Sequence, residues 1–138
     1  MTKDSMLALQ ATKSEGCVGG TTVVFDNAAR ALYFSKSIIP FLREAGDEAL
    51  PCYRHIGLYA YSMAVLEKYV GLPPSRLEKV EGLEQLRALE NQIPIHVTVV
   101  DYRGRTHASI DSPRDVTFVE QLIEQESELI SFPENKGE

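Results

Sequence analysis

The sequence predicts an α/β fold in which a mixed β-sheet is covered by helices. Runs of β-branched and aromatic residues indicate strands, two capped segments indicate helix starts, and both kinds of segment alternate along the chain. The 138 residues suit one domain, because roughly 150 residues is a typical domain length. Hydrophobic residues make up 43% and charged residues 25%, which excludes a disordered or fibrous chain. We expect a single domain over 1–138, with a flexible tail at 131–138.

The first half of the chain predicts a helix, a hairpin and a strand. A short amphipathic pattern indicates a helix within 1–16. The runs TTVVFD at 21–26 and ALYFSK at 31–36 flank a polar turn and so predict a β-hairpin. The run YRHIGLYAY at 53–61 predicts a strand. Side chains alternate between the two faces of a strand. One face is therefore predicted to point into the core and carries Ile56, Leu58 and Ala60, and the opposite face carries His55, Gly57, Tyr59 and Tyr61.

The second half predicts three helices and one strand. Ser62 is the expected cap of a short helix that ends at Gly71. The capping box SRLE at 75–78 begins the clearest helix, which we expect to continue to Asn91. Its predicted buried stripe comprises Leu77, Val80, Leu83 or Glu84, Leu86 and Leu89. The run IHVTVVD at 95–101 predicts a largely buried strand, and Ser112-Pro113 predicts the start of a last amphipathic helix.

Charge and cysteine content restrict the partners. The net charge is −6 and basic residues are not concentrated in any stretch, which argues against nucleic-acid binding. The apolar runs are far shorter than the roughly 18 to 20 residues that span a membrane, and we expect neither a signal peptide nor a membrane contact. Cys17 and Cys52 are far apart and form no C-x-x-C pair. This cysteine usage favours a reduced, cytoplasmic protein.

Two clusters of polar residues could bind a ligand. His55 and Tyr59 place hydrogen-bonding rings on one strand face, although a structural histidine among core tyrosines is an equally good interpretation. Glu81 and Gln85 lie four residues apart, which places them on one face of the predicted helix. A carboxylate beside an amide suits sugar hydroxyls, whereas an ordinary solvated helix face is the commoner explanation.

A third candidate is Asp111, which stands between a strand-like run and a helix start. A carboxylate at such a junction suits Mg²⁺ with substrate phosphates. A turn carboxylate stabilised by the helix dipole fits the same position equally well. The glycines at 16–20 are not followed by Lys-Ser/Thr, so we exclude a P-loop.

Five blocks of the sequence, taken in order, resemble the C-terminal part of the 3-deoxy-manno-octulosonate (Kdo) cytidylyltransferases, the CMP-Kdo synthetases. The blocks are ALYFSKSIIP (31–40), YRHIGLYAY (53–61), LPPSRLEKVEGLEQLRALE (72–90), IHVTVVD (95–101) and IDSPRDV (110–116). The resemblance runs from about residue 22 to 125, and LEQLR at 83–87 is its most specific part.

The resemblance implies a fold and a reaction. The fold is the C-terminal half of a nucleotide-diphospho-sugar transferase-like, Rossmann-like three-layer architecture, in a homodimer. The reaction joins Kdo to CTP, giving CMP-Kdo and pyrophosphate for lipopolysaccharide biosynthesis, with Mg²⁺ as the cofactor. In such an enzyme the protein mainly positions the reactants and neutralises phosphate charge.

The resemblance also assigns roles to residues of this chain. His55, Tyr59, Glu81 and Gln85 match positions that line the sugar pocket. Asp111 matches the catalytic, metal-binding aspartate. Lys36 stands where the family has Arg after Tyr-Phe-Ser, which keeps the charge but loses the bidentate fork that suits a sugar carboxylate.

Two family blocks are missing from the sequence. The segment Ser-x-Arg-Leu-Pro-Gly-Lys, which holds the CTP phosphates, and the block Gln-Gly-Asp-Glu-Pro do not occur. We therefore expect a sugar-acid-binding and dimerisation half that needs a partner chain with the N-terminal half to use CTP. Two alternatives stay open: a non-catalytic sugar-acid-binding or dimerisation module, and a cytidylyltransferase for a related 3-deoxy-2-ulosonic acid.

Overall fold

The computed structural model describes residues 3–14, 20–43, 51–102, 105–106, 108, 110 and 113–127. The chain divides into two units, Met1–Thr98 and Val99–Glu138. The predicted α/β class is confirmed, because the first unit combines a β-sheet with helices. The sheet was predicted to be mixed, but the three strands among the described residues pair only antiparallel. Cys17, Asp111 and the predicted tail at 131–138 lie outside the described residues, and the single domain over 1–138 stays a prediction. Among the described helices, none combines the length and apolar character needed to cross a membrane.

The first helix and the hairpin form where the sequence predicts them. Helix α1 spans Lys3–Ser14, strand β1 Thr22–Phe25 and strand β2 Ala31–Ser35. The two strands pair antiparallel, with Val23 opposite Phe34. The Asp26 carboxylate closes the turn by accepting the backbone N–H groups of Ala28 and Arg30, each at 2.9 Å. A side-chain oxygen that replaces backbone acceptors in this way stabilises a tight turn.

The predicted strand at 53–61 is much shorter than expected. Strand β3 contains only Tyr53–Arg54, which pairs antiparallel with β1 and gives the sheet order β2-β1-β3. The last ladder contact is the His55 N–H on the Thr21 carbonyl, at 2.8 Å. Beyond this bond the described residues form no further ladder: residues 56–61 belong to no strand, and Gly20 has a left-handed φ of +73°. Leu58 is consequently 87% exposed, so the predicted core face was wrong.

Helix α2, Met63–Val70, has the predicted ends. The Ser62 hydroxyl accepts the Val65 N–H at 3.4 Å, and Gly71 follows the last helical residue. Met63, Leu66 and Val70 are exposed, and none of its residues is buried.

The helix predicted from 75 to 91 is two helices. Helix α3 spans Arg76–Glu81 and helix α4 spans Gln85–Glu90, and between them Gly82 takes a left-handed φ of +63°. Val80, two residues before this break, is 77% exposed, so the predicted continuous stripe was wrong. The left-handed residue after α4 is Gln92, with φ +58°, rather than the predicted Asn91.

The core of the first unit lies between the sheet and α4. Its buried members are Val23, Ala31, Phe34, Leu83 and Leu86. The run at 95–101 reaches this core through Ile95 and Val97 but forms only an isolated bridge between Arg30 and His96. Val99 and Val100 are exposed, so the predicted buried strand was wrong. The run pairs with residues of the hairpin turn, and these offer too few backbone hydrogen-bond partners for a continuous β-ladder.

The second unit contains helix α5, Pro113–Glu126. It begins at Pro113, as predicted for a proline in the first helical turn, and Ser112 lies outside the described residues. The Glu126 carboxylate accepts the Thr106 N–H at 2.9 Å and the Thr106 hydroxyl at 2.6 Å. These bonds hold the segment before α5 against its C-terminal turn.

Candidate functional site

The Glu81 carboxylate joins the end of α3 to the end of β2. Oε1 accepts the Ser35 hydroxyl at 2.8 Å and the Tyr33 hydroxyl at 3.4 Å, and Oε2 accepts the Lys36 N–H at 2.8 Å. Tyr33 and Ser35 share a face of β2 because they are two residues apart. An ionised carboxylate has about four lone-pair positions, so roughly one is left for a ligand hydroxyl.

His55 and Tyr59 form a hydrogen-bonded pair. The Tyr59 hydroxyl lies 2.8 Å from His55 Nε2, and the rings of His55 and Phe34 make a T-shaped contact with centroids 5.1 Å apart. Burial, together with the nearby Lys36 charge, lowers the pKa of His55, and burial raises the pKa of Tyr59. Both rings are therefore neutral near pH 7, so the pair presents hydrogen-bonding groups without a formal charge.

Gln85 is buried at the start of α4 with part of its side chain unused. It is 4% exposed, and its amide Nε2 has no hydrogen-bond partner among the described residues. An unpaired buried donor costs about 1–3 kcal/mol, so such a group indicates either strain or a binding site. The amide can donate two hydrogen bonds to a ligand oxygen.

The structure brings four of the six predicted site residues together. Lys36 contacts Glu81 through its backbone N–H, its charge acts on His55, and His55 bonds Tyr59. Glu81 and Gln85 are not on one helix face, because the left-handed Gly82 separates α3 from α4. Asp111 lies outside the described residues.

Several residues that support the site were not predicted from the sequence. The alternation of β2 could have indicated Tyr33 and Ser35 as partners of a helix carboxylate. Arg87 lies over the Tyr69 ring, 5.1 Å from its centroid, and donates two hydrogen bonds to Glu78. Helical spacing could not have paired Glu78 with Arg87, because the chain bends between them.

The described residues offer little for a metal ion. Within the described ranges, no three His, Cys, Asp or Glu side chains come together as a ligand set. Two concavities of about 270 and 390 Å³ flank the hairpin turn, and neither is lined by a predicted site residue. The contacts of Glu81 and of the His55–Tyr59 pair define the candidate site, and Gln85 adds an unpaired buried donor in the helix that follows α3.

Comparisons with known proteins agree with the resemblance predicted from the five blocks. The family described as "Cytidylyltransferase" matches residues 19–98. The 3-deoxy-manno-octulosonate cytidylyltransferase of Maricaulis maris is 52% identical over 122 residues, which cover 88% of this chain and 47% of that protein. The enzyme of the same name from Thermodesulfovibrio yellowstonii is 47% identical over 105 residues, covering 73% of this chain and 40% of that protein.

A solved structure agrees with the sequence relatives. It is described as CMP:2-keto-3-deoxy-manno-octonic acid synthetase complexed with CTP. It matches with a TM-score of 0.65 and 30% identity, over 90% of this chain and 56% of that chain. The chain spans less than half the length of both curated relatives.

Proposed function

The chain belongs to the cytidylyltransferase family, and from this premise we propose that its first unit binds the acceptor sugar acid of a Kdo cytidylyltransferase. In the proposed reaction the anomeric hydroxyl oxygen of Kdo attacks the α-phosphorus of CTP. The bond from that phosphorus to pyrophosphate breaks, and the hydroxyl loses its proton. Two relatives at 52% and 47% identity carry the name of this activity, which supports the proposal.

The chemistry of the candidate site suits a sugar acid. Kdo presents one carboxylate and several hydroxyls, so its site needs a cation, neutral donors and at least one acceptor. Lys36 is the proposed cation for the carboxylate, and the remaining lone pair of Glu81 is the proposed acceptor. The His55–Tyr59 pair can donate or accept toward a hydroxyl. The observation that carries the proposal is the buried Gln85 amide, whose Nε2 has no hydrogen-bond partner among the described residues and can donate to a sugar oxygen.

The transfer step needs groups beyond these residues. Because the chain spans less than half the length of its relatives, we assign CTP to the additional length that those relatives have, in a partner chain or elsewhere in the protein. We propose Asp111 as a ligand of Mg²⁺, which would neutralise phosphate charge when bound. A homodimer and a cytoplasmic location belong to the same proposal, and the low cysteine content of the sequence, with no C-x-x-C pair, suits a reducing compartment.

A non-catalytic sugar-acid-binding module is the second candidate. It has the same sugar contacts at Glu81 and at the His55–Tyr59 pair but performs no transfer step. The two candidates differ in one assay. The 138-residue chain is mixed with the N-terminal half of the Maricaulis maris relative, CTP, Kdo and Mg²⁺, and pyrophosphate is measured. If the chain is part of the enzyme, the mixture should produce pyrophosphate and neither part alone should. If the chain is a non-catalytic module, neither the mixture nor either part should produce pyrophosphate.

Calorimetric titration with Kdo tests the binding proposal itself. We expect saturable heat with Kdo and none with mannose, which lacks the carboxylate. Gln85→Met removes the unused amide at similar volume and should weaken Kdo binding, while Gln121→Met, at an exposed glutamine of α5, should leave it unchanged. Absence of Kdo binding by the parent chain, or equal affinity in the Gln85 variant, would contradict the proposal.

A further inference from the structure

The segment at 55–62 carries two candidate site residues but has no helix or strand of its own. Its backbone is held at its start by the His55 N–H on the Thr21 carbonyl, 2.8 Å apart. The next backbone bond is local, from the Leu58 N–H to the Ile56 carbonyl, also at 2.8 Å. Gly57 has no heavy atom within 4 Å of the place where a Cβ would stand. Backbone contacts alone therefore do not fix the position of the Tyr59 ring.

A row of rings connects this segment to α2. The Tyr59 and Tyr61 centroids are 6.1 Å apart, and those of Tyr61 and Tyr69 are 5.9 Å apart, each pair with its planes inclined by 31°. These separations lie in the range of favourable aromatic pairs. The row begins at His55, whose centroid is 5.6 Å from that of Tyr59. The irregular segment is thus held by side-chain rings that rest on Tyr69.

The far end of the row is fixed by hydrogen bonds and an ion pair. The Tyr69 hydroxyl donates to the Glu84 carbonyl at 3.0 Å, and the Arg87 guanidinium lies over the ring face. The Glu78 carboxylate orients Arg87 by accepting two hydrogen bonds. Nε of Arg87 donates to Oε2 at 2.8 Å, and Nη2 donates to Oε1. A guanidinium held by a bidentate carboxylate has little freedom to move. Tyr69 is consequently restrained on its face and at its hydroxyl.

We infer that Tyr61, Tyr69 and Arg87 are positioning residues that hold the His55–Tyr59 pair in place for the sugar acid. This inference rests on the proposed function for the identity of the ligand, and on the ring geometry for the positioning itself. None of the three residues needs to touch the sugar. Their effect is to keep a segment without secondary structure in one arrangement, so that the Tyr59 hydroxyl stays bonded to His55.

The test replaces the middle ring of the row. Tyr61 is 39% exposed, so Tyr61→Leu removes an aromatic face without opening the core. We expect roughly three- to tenfold weaker Kdo binding, the loss expected for the Tyr59–Tyr61 pair, which is the one of the two aromatic pairs of Tyr61 that touches the His55–Tyr59 pair. We also expect the NMR titration of the His55 ring, recorded without ligand, to move upward toward its ordinary pKa, because a looser segment admits water.

Three further variants complete the test. Tyr61→Phe keeps the ring and should restore both readouts. Phe41→Leu removes an 89%-exposed aromatic side chain outside the row and should change neither. Arg87→Lys keeps the charge but loses the fork, and should move both readouts in the same direction as Tyr61→Leu.

The two readouts separate this inference from the proposed function. If the parent chain does not bind Kdo, the proposed function fails, and the ligand-free titration of His55 still decides whether the row positions it. A folded Tyr61→Leu chain with the parental His55 titration overturns the inference, whatever its Kdo affinity. A chain in which Tyr61→Phe behaves like Tyr61→Leu overturns it as well, because the ring would then not be the cause.

Discussion

The Ser35 hydroxyl donates a 2.8 Å hydrogen bond to the Glu81 carboxylate, although the two residues are 46 positions apart in the chain. The same carboxylate accepts the Lys36 N–H, so it holds the last residues of β2 against the end of α3. Glu81 therefore has a structural role in addition to its proposed contact with a sugar hydroxyl. A change at this position should affect stability as well as binding.

Glu81→Gln should destabilise the fold by about 1 kcal/mol, because neutral bonds replace charge-assisted ones. The measurement is the difference in the free energy of unfolding between variant and parent in urea. Glu84→Gln is the matched control, since Glu84 is exposed and makes no side-chain cap bond. Equal stability of both variants would contradict the structural role of Glu81.

Gly82→Ala should cost about 1 kcal/mol of stability, because a residue with a Cβ is disfavoured at a φ of +63°. No atom lies within 4 Å of the added Cβ, so the cost is conformational rather than steric. Gly71→Ala is the control: φ is −77° there, and the new Cβ would meet carbonyl oxygens at an ordinary 3.6 Å. Urea unfolding should show little change or a gain of up to about 1 kcal/mol for Gly71→Ala. A Gly82→Ala chain as stable as the parent would argue against the left-handed break.

Leu86→Ala should destabilise the protein by about 2–5 kcal/mol, the usual range for removing a fully buried leucine. Leu86 packs in the core between α4 and the sheet. Leu32→Ala, on the exposed face of β2, should change stability by no more than about 0.5 kcal/mol. Thermal unfolding of the two variants compares these positions, and similar losses in both would place the core elsewhere.

Stability should fall as the pH drops below about 6.5, the ordinary pKa of histidine, because burial lowers the pKa of His55 in the folded chain. Between that value and the lower folded pKa the unfolded state binds a proton that the folded state does not. Below the folded pKa this contribution no longer changes. Urea midpoints at about pH 7.5 and about pH 5.5 should therefore differ less in His55→Gln than in the parent. His96→Gln, at an exposed histidine, should keep the parental difference.

Local patterns predicted local structure well. The hairpin, the Ser62 cap and the proline start of α5 all follow from turn and capping chemistry that acts within a few residues. The strand at 53–61 failed because its length depends on the strand that it pairs with, and β1 begins only at Thr22. The long helix failed because Gly82 adopts a left-handed conformation at little cost, which ends α3, and the chain beyond it buries Leu83 and Leu86.

The candidate site was predicted mainly from the family resemblance. Lys36, His55, Tyr59 and Glu81 come together as the resemblance implies, but the contacts that join them cannot be predicted from the spacing of these residues in the sequence. Glu81 meets β2 through Ser35, and the His55–Tyr59 bond forms in a segment that is not a strand. Arg87 and Glu78 could not be paired from the sequence, because that contact depends on the bend at Gly82.

The NMR signal of the Gln85 side-chain amide, followed during titration with Kdo, tests the proposed sugar-acid site most directly. We expect this signal to shift with saturation on Kdo addition, because its buried N–H groups gain a ligand oxygen, while the exposed Gln121 amide does not respond. A Gln85 amide signal that stays in place while Kdo saturates the protein would place the sugar acid elsewhere.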